Sequence, residues 1–270
     1  MMQRESTGWL IPVLLAIGAA GALWYYWFEI SKTPQVVEQP QVAAPQPSVE
    51  ERTGPIHPLA GTEPAGDRPE LRPLPPLHES DAYFKMELSD LYGEAVADLL
   101  AETGLIERIV ATVDNLPRAH VAERIRPVGR LSGQFSIDNE LASGEFELSP
   151  DNFRRYDMLV EIVTRADLDQ LENMYRRFYP LFQETYIELG YPNGYFNDRL
   201  VEVIDHLLET PEPAEPLLLV RPHVLYEFSD QDLEDRSSGQ KLLLRMGNEH
   251  AGNIKQVLLE LRERIAEQTD

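Results

Sequence analysis

The longest apolar run in the chain is Trp9 to Phe28, twenty residues without a charge. At about 1.5 Å per helical residue such a run spans roughly 30 Å, the thickness of a bilayer's hydrocarbon core, and aromatic residues stand at both ends where an interfacial belt sits. The pattern predicts one membrane helix over 9–28, preceded by a short cytoplasmic tail, 1–8. Beyond it the apolar period disappears. Eleven of the chain's 21 prolines fall between Ser31 and Glu79, mixed with Gln, Glu, Ala and Val and ending in RPLPPL at Arg72 to Leu77. A stretch of this composition cannot bury enough surface to offset chain entropy, so 29–79 predicts a disordered, acidic, proline-rich linker. Drawn out as polyproline II at about 3.1 Å per residue, it reaches on the order of 150 Å.

From residue 80 to 270 the apolar positions return, mostly at helical spacing, and predict one folded domain. Ser80 stands as an N-cap before Phe84, Leu88, Leu91 and Tyr92. Gly93 and Gly104 bound a short helix with Val96, Leu99 and Leu100, and a further helix carries Leu105, Ile106, Ile109, Val110 and Val113 up to Asp114-Asn115-Leu116-Pro117-Arg118. The period then changes to alternation at Gln134 to Ile137 and Glu145 to Leu148, a hairpin pattern. Ser149, Pro150 and Asp151 open a helix that buries Phe153, Tyr156, Val160 and Val163. A longer helix runs from Asp167 to Leu189 with Pro180 inside it, a position that predicts a kink. After Gly190-Tyr191-Pro192 comes a helix bearing Phe196, Leu200, Val203, Ile204 and Leu207. Two short strands are expected at Leu217 to Val220 and His223 to Phe228, and two final helices around 233–246 and 248–267, the last supported by a Glu260 and Arg264 pair. The expected fold class is α+β: mainly α, with a small antiparallel β component.

Composition adds direction. The chain carries 46 Asp and Glu against 24 Lys and Arg, a net charge of −22, all of it beyond the apolar run because Arg4 and Glu5 cancel. A surface this acidic repels phosphate backbones and anionic headgroups, which argues against nucleic-acid binding. Without cysteine the chain has no disulfide, thiolate metal site or Cys nucleophile. Lys and Arg flank the membrane run almost equally, with Arg4 before it and Lys32 after it. A short N-terminal tail and a long C-terminal domain favour the N-terminus inside, which in a bacterium places a single-pass protein in the inner (cytoplasmic) membrane with its domain in the periplasm. The competing reading is a signal peptide cleaved near Ala20-Gly21-Ala22, which would leave LWYYWF bare at the head of a polar tail. Gly18 and Ala22, four apart, offer a face for close helix approach and a homodimer within the bilayer.

For chemistry, three groups stand out. Asp114, Asn115 and Arg118 sit at a helix-to-loop junction, where such a cluster either binds a ligand or satisfies orphan carbonyls and fixes the loop. Arg154, Arg155, Lys241 and Arg245 are the notable cations, with Tyr156 a candidate beside them; converging, the cations would clamp a carboxylate or phosphate, and otherwise they pair with surplus acids. Glu202 and His206 share a helix face as a metal or acid-base pair might, but there is no HExxH and no second His at ligand spacing. No metal or cofactor is expected.

With these elements in place, the chain resembles an uncharacterised bacterial family known as domain of unknown function three thousand and fourteen. The resemblance covers about Leu77 to Leu261 and rests on VDNLPR at Val113 to Arg118, NFRRYD at Asn152 to Asp157, ELGYP at Glu188 to Pro192 with Phe196 beyond it, and KLLLRMG at Lys241 to Gly247. It implies a single-span membrane protein with a proline-rich linker, and brings no activity or catalytic residue with it. Two function classes follow from the residues: a tethered, non-enzymatic module binding another envelope component, and a hydrolase acting on cell-wall or periplasmic material through acidic residues.

Overall fold

The computed structural model describes residues 54–59, 73–129 and 133–266; the expected membrane helix and much of the expected linker lie outside the described residues. Among the described residues no helix is long and apolar enough to cross a membrane. The domain is α+β, as the periodicity predicts. Helix α1 (Asp81–Tyr92) leads through a 3-10 turn, Glu94–Leu99, into α2 (Leu105–Asn115). A hairpin of β1 (Ile137–Glu140) and β2 (Phe146–Leu148) follows, then α3 (Asp151–Arg154), α4 (Asp157–Thr164), the long α5 (Leu168–Glu188) and α6 (Phe196–Leu208). Strands β3 (Leu218–Val220) and β4 (Glu227–Phe228) precede α7 (Gln231–Glu234), α8 (Ser238–Met246) and α9 (Asn248–Ala266).

The four strands form one antiparallel sheet in the order β1-β2-β3-β4, with Phe146 opposite Leu219 and Leu219 opposite Phe228. The first strand begins where the expected one ends, at Ile137, which pairs with Leu148. Asn152 explains the shift. Its buried side chain accepts from Ser136 N–H at 3.1 Å and donates to Ser136 C=O at 2.6 Å, so the residues before Ile137 are held by a side chain instead of by a neighbouring strand. The helix expected from Ser149 to Val163 is in two pieces, α3 and α4, with Arg155 and Tyr156 at the joint. The helix expected around Leu233 to Met246 is likewise split, because the Ser237 hydroxyl caps a new start by accepting from Gln240 N–H at 3.2 Å.

Ser80 does not act as the expected cap. Its buried hydroxyl donates to Leu77 C=O at 2.7 Å, while the next residue, Asp81, accepts the N–H groups of Gly104 and Leu105 at 2.7 and 2.8 Å. The first residue of α1 thus satisfies the orphan donors at the start of α2. Arg264 also departs from expectation: it turns from Glu260 to Asp169 and Glu172 of α5.

Helix α6 is the centre of the packing because it is apolar on two faces. Val201 and Ile204 enter a core built with Phe84 of α1, Leu105, Ile106 and Val110 of α2, and Phe178 and Phe182 of α5. Its rings pack edge-on, as with Phe84 and Phe178 at 4.9 Å, or stacked, as with Phe182 and Phe196 at 5.5 Å. Val203 and Leu207 face a second cluster with Tyr156, Val160, Leu243, Met246 and Ala251. A third, of Leu148, Leu217, Leu219, Phe228, Leu233 and Leu244, fills the space between the sheet and α8.

A short strap, 54–59, lies against this body. The Asp198 carboxylate accepts Ile56 N–H at 2.9 Å and His57 N–H at 2.8 Å, and Leu59 is buried in the first core. Asn197, 1 % exposed, donates to His57 C=O and to Ile265 C=O, both at 2.9 Å, and accepts from the Tyr175 hydroxyl at 3.0 Å. One buried amide therefore joins α5, α6, α9 and the strap.

Candidate functional site

The singled-out residues separate into two places. The first is the C-terminal end of α2, where Asp114 is 2 % exposed. Its carboxylate accepts from Arg118 Nη2 at 2.8 Å, Arg199 Nε at 3.1 Å and the Tyr191 hydroxyl at 3.2 Å, while Arg199 Nη2 donates to the Asp114 C=O at 2.8 Å. Arg199 also pairs with Glu202 at 2.8 Å. Tyr191 stacks on Tyr186 with ring centres 4.6 Å apart. Two arginines and a phenol occupy three of the roughly four acceptor sites of one buried carboxylate, and the result locks the loop after α2 to α5 and α6. Asn115 turns away and donates to Ala111 C=O at 2.7 Å. The loop continues to α8, where Ser238 and Gly239 N–H groups donate to Arg118 and Leu116 C=O at 2.8 and 2.9 Å. The cluster ties the loop to its neighbours while the outer faces of Arg118 and Glu202 stay open to solvent.

The second place is a cleft of about 390 Å³ between the sheet, the α3–α4 joint and α8. The break between α3 and α4 sets Arg155 and Tyr156 on its wall, and Arg245 reaches it from α8. Phe135, Val224, Leu225 and Tyr226 complete an apolar side. Tyr226 packs against Phe135 at 5.1 Å and edge-on to Phe146 at 5.3 Å, while Arg245 lies over the Phe228 ring at 5.6 Å. The Phe228 ring steadies Arg245 from below. Burial pushes the Tyr156 phenol above its ordinary value, opposed by the nearby positive charges of Arg155, Arg245 and Arg126. Two guanidinium groups, those of Arg155 and Arg245, thus line one half-apolar cleft in a chain of charge −22.

The remaining candidates lie elsewhere. Arg154 is exposed and pairs with Asp151 at 2.8 Å. Lys241 is buried, donating to the Glu234 carboxylate at 2.7 Å and to its C=O at 2.8 Å, and so fastens α7 to α8. Glu202 and His206 part company: the first takes Arg199, the second meets the Ser237 hydroxyl at 2.8 Å. Among the described residues no group of His, Cys, Asp and Glu could hold a metal ion.

Arg199, Tyr191 and the Phe135, Val224, Leu225 and Tyr226 wall are the residues that sequence reasoning misses. Arg199 lies 85 positions from Asp114, and only its spacing from Glu202 is visible locally. Val224 and Leu225, 78 % and 75 % exposed, sit in a segment whose apolar character reads as a strand, and a strand would bury every second one.

The four short motifs meet in pairs. VDNLPR and ELGYP supply Asp114, Arg118 and Tyr191 to the first centre. NFRRYD and KLLLRMG supply Arg155, Tyr156 and Arg245 to the cleft. No curated protein and no solved structure matches the chain. Residues 105–262, which contain both places, match the family described as protein of unknown function (DUF3014), and the chain belongs to that family.

Proposed function

We propose that this is a membrane-tethered envelope protein whose domain is a binding module. Trp9 to Phe28 anchors it in the inner membrane, the proline-rich stretch holds the domain off the bilayer in the periplasm, and the cleft between Arg155, Tyr156 and Arg245 docks another envelope protein. The observation that carries this reading is the pairing of Arg155 and Arg245 with the exposed Val224 and Leu225 on one cleft. Arginines clamp a carboxylate through two parallel N–H groups, and an exposed apolar pair beside them takes an apolar side chain. The partner segment therefore carries an acidic group next to an aliphatic or aromatic residue.

The test is photo-crosslinking in intact cells from a reactive residue placed at position 225, followed by mass spectrometry. One repeatable protein adduct is expected, and it should fade when Arg155 and Arg245 are both replaced by Gln. No adduct, together with turnover of wall fragments by the purified protein, would instead establish the hydrolase. A reporter fused after residue 270 that proved cytosolic would remove the periplasmic part of the reading.

A further inference from the structure

Among the described residues Arg245 meets no carboxylate and no carbonyl; its guanidinium lies over the Phe228 ring at 5.6 Å, and the residue lines the docking cleft. Other cations nearby in the chain are engaged within the fold, Lys241 by Glu234 and Arg154 by Asp151. Arg221 is likewise without an acid among the described residues, and it lies over the Tyr226 ring at 5.4 Å. In a chain with 46 acidic against 24 basic side chains, an exposed guanidinium that finds no internal acid is open to one from outside.

Apolar space lies next to it. A recess of about 20 Å³ adjoins the cleft, sharing Phe135, Leu148, Tyr226 and Arg245 with it and adding the buried Leu219 and Phe228. That is space for a group the size of a water or a methyl, and the apolar lining favours the methyl. Resting on the binding-module reading, we infer that the partner enters this cleft by its C-terminus: the terminal carboxylate pairs with Arg245, and the last side chain, an aliphatic one, puts a methyl into the recess and lies against Leu225. A last residue carries its carboxylate and its side chain on one Cα, so one small cleft satisfies both. An internal Asp or Glu needs a second residue for the apolar contact; in an extended chain the next one points to the opposite face, and the one after stands roughly 7 Å away. An internal segment must also leave the cleft again, past the sheet, the α3–α4 joint and α8 that bound it.

The probes are acetyl-Gly-Gly-Leu with a free carboxylate, its C-terminal amide, and acetyl-Gly-Asp-Leu amide, whose acid is internal, each titrated by calorimetry into the full chain in nonionic detergent micelles. The free acid is expected to bind, and the other two to bind about tenfold more weakly or worse, since neither brings a carboxylate and an aliphatic side chain on one Cα. Arg245→Gln should weaken the free acid about tenfold and leave the amide unchanged, while Leu225→Ser should weaken acid and amide alike. Both residues are exposed, so these substitutions leave the fold intact and separate loss of binding from misfolding. Failure of the free acid to bind, equal binding of the three peptides, or indifference to Arg245→Gln would overturn the inference. In cells, the partner captured from position 225 should lose its adduct when two residues are added to its C-terminus. An adduct that survives the extension would overturn the chain-end inference and leave the binding module standing, whereas no adduct from either form would remove the module itself.

Discussion

Asp114 shows how much one side chain can organise. Its carboxylate is 3 % exposed and holds Arg199, itself 18 % exposed, together with Arg118, which is 55 % exposed. Asp114→Ala removes one of the two carboxylates that meet Arg199 and leaves Glu202; breaking a buried pair destabilises by about 3–5 kcal/mol. The expected loss is about 3 kcal/mol in a urea titration, the low end of that range because Arg118 can turn to water. Gly247 is the other decisive residue. Its φ of +81° is left-handed, and a Cβ there would stand 2.9–3.0 Å from the Phe153 ring. Gly247→Ala should lower stability by about 2–3 kcal/mol, adding the left-handed penalty to displacement of the ring, and a thermal melt measures it. Asp114 and Arg118 were legible in the sequence as a pair four apart; the phenol and the second guanidinium closing on them were not, because no local period connects Arg199 to Asp114.

Among the elements, the long helices could be read closely and the short ones could not. Helices α5 and α6 are within one or two residues of their expected bounds, because a sustained apolar stripe at 3.6 spacing and the Asp167 cap act locally. At α5 the Asp167 carboxylate accepts from the N–H groups of Asp169 and Gln170 at 3.0 and 3.2 Å. The shift of β1 follows from Asn152, whose partner Ser136 lies sixteen positions away, and the separate α7 from Ser237, which caps α8 anew, and from Lys241, which holds Glu234. The strap is a further case. The proline-rich composition of its surroundings carries no apolar period, yet Leu59 reaches the core and Asp198 fixes the backbone beside it. Asp198→Ala removes the acceptor of two N–H groups. It should speed proteolysis within 54–59 several-fold and reduce stability by about 1–2 kcal/mol, read by limited digestion beside a urea titration.

Across the whole molecule, the buried tyrosines set an alkaline limit. Burial pushes Tyr92, Tyr179 and Tyr186 from the ordinary value of 10 up to about 12, and Tyr175 well above 10. A folded value raised above the unfolded one contributes stability that is complete below pH 10 and is lost as pH rises through about 12. Urea midpoints should therefore be flat from neutral pH to about 9.5 and fall steeply between 10 and 12, with tyrosinate absorbance appearing on unfolding. The sequence by itself determined the helical character of the domain, its longest elements, the net charge and the apolar run at 9–28, since each depends on spacing or composition along a few turns of chain. Tertiary structure alone decided that Arg199 and Tyr191 close on Asp114, and that Arg155, Tyr156 and Arg245 share a cleft while Arg154 and Lys241 do not. Those relations join segments tens of positions apart, and only the packing of helices and sheet into one body brings them within reach.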